Sequence, residues 1–310
     1  MNLTLGFITL LLSFFFIVSF QKYYKKRGII DKINNRSSHD ELATRSGGIA
    51  IYLTLFAVSI YYYLNGNEIF DFSFLIPLSI LVVVGLYDDI YEVDFKLKFI
   101  FQIIVAKIII DSGLSIENFH GVLGLYEIDR ISSQILTIFI IVAVINSINF
   151  IDGIDGLAIT AVIFFIAGFE FFSKYESPFY FLSHIVFFSM IPLYYFNNRK
   201  KDKVFLGDSG SLFLGTLISI YVIFILNNEY IIKEEYDLNK IIFVISILTY
   251  PIIDIVRVFF IRVFKGKSPF VADRNHIHHI LIKKFKSHKI VVLGIYIVNI
   301  IFVLTLQYIF

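Results

Sequence analysis

The stretch Asn146-Ser-Ile-Asn149-Phe-Ile-Asp152-Gly-Ile-Asp155-Gly156 places four amide and carboxylate side chains between two strongly apolar runs. A lipid-facing helix has no use for that pattern. Glycines directly after two aspartates allow a tight turn that brings backbone close to a ligand. The amides and carboxylates can hold a hard cation or hydrogen-bond a polar substrate. The same residues also read as a capped loop, in which Asp152 or Asp155 N-caps the next helix.

Three further polar clusters interrupt the apolar pattern. Asp88-Asp89 is followed by Asp94, Lys96 and Lys98. Adjacent carboxylates at a membrane boundary are costly unless a cation or a Lys-bound phosphate relieves them, or unless they form a solvated helix end. Gly207-Asp208-Ser-Gly-Ser211 opens an apolar run. The N–H groups of a helix start there favour an anion, and Asp208 can hold Mg²⁺ against it. Phe205, just before, can stack on a base or anchor in lipid. Asp273-Arg274-Asn-His276-Ile-His278-His279 lies in a basic segment. Three histidines in four residues can coordinate a metal or grip a pyrophosphate. The remaining candidate ligands are oxygens, which suit Mg²⁺ or Mn²⁺ better than zinc. Asp254 and Arg257, one helical turn apart, read as a structural ion pair.

These residues need elements to hold them, and composition says which kind. The chain is 57% hydrophobic and 17% charged, with a mean hydropathy of +0.79. A net charge of +2 suggests no nucleic-acid partner. There is no Cys, which excludes disulfides, thiolate metal sites and Cys nucleophiles. Apolar runs at 3–20, 47–64, 72–87, 97–111, 131–148, 157–172, 179–196, 211–227, 240–260 and 290–309 predict about ten transmembrane helices. The first run has its positive charges after it, so it reads as a retained span and not a cleaved signal. Of 27 Lys and Arg residues, 22 fall on the segments then assigned inside and four on those outside. Residues 112–130 read as an outer hairpin around Gly121 and Gly124. The fold expected is an all-α integral membrane protein, one domain over 1–310, multi-pass in the plasma (inner) membrane.

With that orientation, every polar cluster follows an odd-numbered span and faces the cytoplasm. Random loop decoration would scatter them over both faces. Carboxylates, an anion-binding helix end and a basic histidine cluster together make phosphoryl-transfer equipment. A membrane setting implies one lipid substrate. An ion-coupled transporter, the competing class, would place polar residues deep in several spans and at both faces.

From Arg45-Ser-Gly-Gly48 to His279, these motifs in this order resemble the polyprenyl-phosphate N-acetylhexosamine-1-phosphate transferases. That superfamily includes the phospho-N-acetylmuramoyl-pentapeptide transferases. The resemblance implies ten or eleven helices, a cytoplasmic site, and transfer of a sugar-1-phosphate from a UDP-N-acetylhexosamine to polyprenyl phosphate, with release of UMP and dependence on Mg²⁺ or Mn²⁺. It implies that Asp88 and Asp89 are the catalytic Asp pair, one of them deprotonating or positioning the lipid phosphate. Lys96 and Lys98 fall at basic positions near the diphosphate. Asn149, Asp152 and Asp155 match an Asn-x-x-Asp-Gly-x-Asp-Gly motif, with Asp155 helping to read uracil and Asn149 near the metal. Asp208 matches the metal-binding aspartate and Phe205 an aromatic beside uracil. His276, His278 and the catalytic His279 match a His-x-His-His motif near the diphosphate and sugar, and the nearby Arg274 is expected to bind substrate with them. His276-Ile-His-His279 resembles the N-acetylglucosamine branch; the muramoyl-pentapeptide branch usually carries three consecutive histidines. The resemblance also admits a homodimer. A CDP-alcohol phosphatidyltransferase is disfavoured, because no Arg follows Asp155-Gly-Leu-Ala158 in the required place.

Overall fold

A computed structural model describes residues 2–31, 43–227, 230–233, 238–266, 268 and 275–309. Among them are twelve α-helices: α1 Asn2–Arg27, α2 Gly47–Leu64, α3 Leu75–Tyr91, α4 Phe95–Asp111, α5 Arg130–Ile151, α6 Leu157–Phe172, α7 Tyr180–Asn197, α8 Gly207–Leu226, α9 Leu238–Ile247, α10 Thr249–Phe264, α11 Ile277–Phe285 and α12 His288–Ile309. A two-residue parallel pair, β1 Ala43–Thr44 and β2 Lys203–Val204, is the one sheet among the described residues. The protein is an all-helical integral membrane protein.

Each of the ten expected spans falls on a helix, the ninth on α9 and α10 together. Among the described residues, six helices are long and apolar enough to cross a bilayer, or seven if α9 and α10 count as one bent span. The count of ten is therefore not confirmed. At 1.5 Å per residue, the 17 residues of α4 and 16 of α6 extend only about 24–26 Å, short of a ~30 Å hydrocarbon core. In α7, Ser183, His184, Ser189 and Pro192 interrupt the apolar run.

The chain divides into two compact units, Met1–Asp94 with Glu176–Leu214 and Phe95–Tyr175 with Gly215–Phe310. In the first, α1 packs along α7 and α2. Ser13 Oγ donates to the Ser189 carbonyl at 2.6 Å, and Gln21 Nε2 to the Asp202 carbonyl at 2.6 Å. Lys25 pairs with Asp202. Two glycines let α2 and α3 touch the start of α8. A Cβ on Gly48 would lie 2.0 Å from the Gly210 nitrogen, and one on Gly85 of α3 only 2.4 Å from the Asp208 carbonyl oxygen. Small residues at such crossings allow the backbones to meet.

In the second unit, α4 packs on α5, α5 on α10, and α9 on α12. The α9–α10 axis turns by 72°. Pro251, in the first turn of α10, has no N–H to give the Ile247 carbonyl four residues back. Asn299 Nδ2 of α12 supplies that bond instead, at 3.2 Å. The expected hairpin is present: Asn118 and Glu127 form an antiparallel bridge, and Phe119 N donates to the Tyr126 carbonyl at 2.7 Å.

Candidate active site

In the first unit the polar residues gather around the first turn of α8. Strand β2 brings the chain past β1, and the pairing continues as backbone bonds. Phe205 N donates to the Thr44 carbonyl at 2.8 Å; Gly47 N and Gly48 N donate to the Phe205 and Leu206 carbonyls at 2.9 and 2.8 Å. Those last two bonds satisfy N–H groups that a helix start leaves unpaired. The N–H groups opening α8 look, in sequence, like an anion cradle. Here the anion is internal: Asp89 Oδ1 accepts from Asp208 N at 2.9 Å and Oδ2 from Ser209 N at 3.0 Å. The expectation of a ligand anion on those two N–H groups is corrected accordingly, because the carboxylate of α3 reaches them first. Asp88, buried on the same helix end, accepts from Val93 N at 2.6 Å through Oδ1. That bond fastens the turn after Glu92, whose φ is 57°.

Arg45 completes this cluster. Its guanidinium meets Asp31 Oδ1 at 2.6 Å. Burial alone would lower its pKa, but the carboxylates of Asp31, Asp89 and Asp208 outweigh burial and raise it. Sequence reasoning used Arg45 only to mark where the resemblance begins. Its one sequence signal is a lone basic residue just ahead of Gly47-Gly48. Phe205 is half-buried with Lys203 Nζ 5.6 Å from its ring centre.

In the second unit the α5–α6 turn meets the histidine segment. Helix α5 ends at Ile151, Asp152 N donates to the Asn149 carbonyl at 3.3 Å, and Gly156 takes a left-handed φ of 78° before α6. The position before α6 is thus a glycine with no side-chain cap, so neither aspartate is its N-cap. Gly153 is required by close approach: a Cβ there would lie 2.7 Å from His278 Nε2 and 3.3 Å from His279 Nε2. The Asp-Gly turn and the histidine motif are therefore in contact. Asn146, the first polar residue of the stretch, exchanges amide bonds with Gln102 of α4 at 2.7 and 3.3 Å.

The histidines are held from below by one face of α10. Tyr250, Asp254 and Arg257 recur at i, i+4 and i+7, which lines them up along a helix. His276 Nδ1 donates to Asp254 Oδ2 at 2.7 Å, since an ionised carboxylate only accepts. Asp254 Oδ1 accepts from Ile277 N at 2.7 Å, capping α11. Tyr250 Oη and His278 Nδ1 are hydrogen-bonded at 2.9 Å, and Arg257 Nη2 donates to the Asn275 carbonyl. The Asp254–Arg257 pair expected as a local ion pair is present at 3.5 Å, but the shorter bonds of Asp254 go to the histidine segment. His278 is wholly buried; burial first, and the His279 charge second, push its pKa down to about 3 against the pull of Asp254. Its Nε2, beside Gly153, has no hydrogen-bond partner among the described residues. His276 lies tilted against Phe150, with ring centres 6.0 Å apart.

Two further residues were missed by sequence reasoning: Tyr250, which looks like any aromatic in an apolar helix, and His288. His288 Nδ1 lies 2.7 Å from Asp155 Oδ2. Lys96 is exposed and Lys98 half-buried at the start of α4. Arg274 lies outside the described residues. An apolar groove of about 440 Å³ runs between α4, α5 and α10, with Phe150 in its wall and Asn146 and Arg262 as its polar positions.

No group of three His, Asp or Glu side chains is arranged to hold a metal among the described residues. The donors present are nonetheless carboxylate and amide oxygens, which fit Mg²⁺. That ion is commonly held by one or two carboxylates with waters and substrate phosphates, without a protein cage.

Comparison with known proteins agrees along the chain. A family profile described as Glycosyl transferase family 4 matches residues 71–226. The "Probable undecaprenyl-phosphate N-acetylglucosaminyl 1-phosphate transferase" of Bacillus subtilis (strain 168) is 31% identical over 97% of this chain and 83% of its own length. Proteins named undecaprenyl-phosphate alpha-N-acetylglucosaminyl 1-phosphate transferase are also similar. The one from Haemophilus influenzae is 28% identical over 89% of this chain and 78% of its own; that from Escherichia coli (strain K12) is 29% identical over 86% and 73%.

Proposed function

Because the chain belongs to glycosyl transferase family 4, we propose that it transfers N-acetylglucosamine-1-phosphate from UDP-N-acetylglucosamine to undecaprenyl phosphate. The products are the lipid-linked diphospho-sugar and UMP, and the reaction initiates a cell-surface glycan. The observation that carries this reading is the near-full-length similarity to a protein named for that activity. His276-Ile-His-His279 supports the same sugar. The site faces the cytoplasm of the inner membrane, as the excess of Lys and Arg on that side suggests.

In the reaction, an oxygen of the lipid phosphate attacks the sugar-proximal phosphorus. A new P–O–P bridge forms, and the bond from that phosphorus to the bridging oxygen breaks, leaving with UMP. Asp89 anchors α8 through both of its oxygens; of the adjacent pair, we assign Asp88 to accept the proton of a monoprotonated lipid phosphate. Asp208 would hold Mg²⁺ or Mn²⁺, whose charge offsets that building on the phosphoryl oxygens. Arg45, Lys96, Lys98 and Arg274 add positive charge for the diphosphate. Asn149, Asp152 and Asp155 bind the nucleotide side of the donor, with Phe205 against the base. Asp254 fixes the ring of His276, and Tyr250 that of His278, so that the histidine segment presents a set geometry to diphosphate and sugar. The apolar groove bounded by Phe150 and Arg262 takes the first isoprenes of the lipid, whose chain needs apolar cover and whose phosphate needs a cation.

The test is to incubate membranes holding the protein with undecaprenyl phosphate, Mg²⁺ and one radiolabelled donor at a time. Label from UDP-N-acetylglucosamine is expected in the lipid phase with equimolar UMP, and Asp208→Asn abolishes it while the protein still inserts. Label entering only from UDP-N-acetylmuramoyl-pentapeptide would replace the sugar assignment. No labelled lipid from any donor would end the proposal.

A further inference from the structure

His288 opens α12 and belongs to none of the polar clusters, yet it touches the Asp-Gly turn 133 residues earlier. Its Nδ1 lies 2.7 Å from Asp155 Oδ2 and faces the Asp155 backbone N–H at 3.2 Å. One ring nitrogen thus meets both the carboxylate and the backbone of Asp155. Both side chains are mostly buried, 20% and 14% exposed, so water competes little for the contact. Asp155 is two residues from Gly153, on which His278 and His279 pack. Holding Asp155 therefore also holds the turn that the histidines lean on.

We propose that His288 is a positioning residue for donor binding: it fixes the carboxylate of Asp155 and, through it, the turn that receives the UDP-sugar. This rests on the functional reading above. It predicts a defect in donor affinity, not in lipid-phosphate use, because the contact is made to the nucleotide-side motif.

The experiment compares full-length wild type, His288→Ala, His288→Asn, Asp155→Asn and the His288→Ala/Asp155→Asn double variant in lipid nanodiscs. Removing the ring that meets both the backbone and the carboxylate of Asp155 should raise KM for UDP-N-acetylglucosamine about tenfold or more, with KM for undecaprenyl phosphate unchanged. Asparagine places an amide near where Nδ1 stood, with a carbonyl to accept from the Asp155 N–H and an NH2 to donate to its carboxylate, so His288→Asn should recover most of the loss. In the Asp155→Asn background His288→Ala should add little, in kinetics and in thermal unfolding, because the partner is already altered. The proposal is overturned if His288→Ala leaves donor KM within about twofold of wild type, or if the two single effects multiply. A wild type that transfers from no UDP-sugar overturns the functional reading instead; coupling in thermal unfolding then decides whether His288 holds Asp155.

Discussion

At the scale of single residues, the polar groups of this protein are occupied in ways that narrow their chemistry. Asp89 spends both oxygens on the first N–H groups of α8, so it anchors the helix that carries Asp208. His278 is kept neutral by burial, and this has a consequence with a definite sign. The unfolded imidazole titrates near 6.5, whereas the folded one takes a proton only near pH 3. Between those values the unfolded chain binds the extra proton, so stability is complete above pH 6.5 and falls as pH drops through the window. The contribution of this one group is on the order of 1.4 kcal/mol per pH unit. Thermal unfolding in detergent from pH 4 to 8 should therefore show a steeper acid loss for wild type than for His278→Gln. Equal slopes would mean that His278 is protonated in the folded protein.

At the scale of elements, the candidate site is set by backbone contacts more than by side chains. Helix α8 can start where it does because Gly48 and Gly85 let α2 and α3 approach its first turn. Gly85→Ala would force a Cβ to 2.4 Å from the Asp208 carbonyl oxygen. Overpacking of that kind costs about 1–3 kcal/mol, so a lowered unfolding temperature and loss of transfer are expected. Gly294, in α12, has nothing within 4 Å of an added Cβ. Gly294→Ala should be neutral or stabilising by up to about 1 kcal/mol through helix propensity. A Gly85→Ala protein as stable and active as wild type would show that the α3–α8 contact is looser than described. The bend between α9 and α10 is an element-scale device of the same kind. Pro251 opens the hydrogen-bond ladder, Asn299 closes it, and the helix that follows carries Tyr250 and Asp254 to the histidines.

For the whole molecule, the proposed orientation can be tested with a tool that the composition itself supplies. The chain has no cysteine, so single-cysteine reporters carry no background. Lys200→Cys, in the exposed turn after α7, should react with an impermeant maleimide only once cells are opened. Tyr126→Cys, 63% exposed at the hairpin between α4 and α5, should react on intact cells. The reverse pattern would invert the topology and move the polar clusters to the outer face.

Much of this was legible in the chain. Each of the ten apolar runs falls on helix, since a stretch without charges has few alternatives to burial in lipid or core; α11 and the break between α9 and α10 lay outside that pattern. The Asp-Gly stretch, the helix opening at Gly207 and the histidine motif were visible because polar residues stand out against such runs. What composition left open was whether α4, α6 and α7 are long and apolar enough to span, because that depends on where each helix stops. Only the tertiary structure decided which groups the motifs meet. Asp89 sits on the start of α8, 119 residues away; Asp254 holds His276 across 22 residues; His288 reaches Asp155 across 133. Local pattern determines the period and polarity of an element, but a hydrogen bond between distant residues depends on the path of the chain. Nothing in the neighbours of His288 or Tyr250 distinguishes them from ordinary residues at the ends of apolar helices.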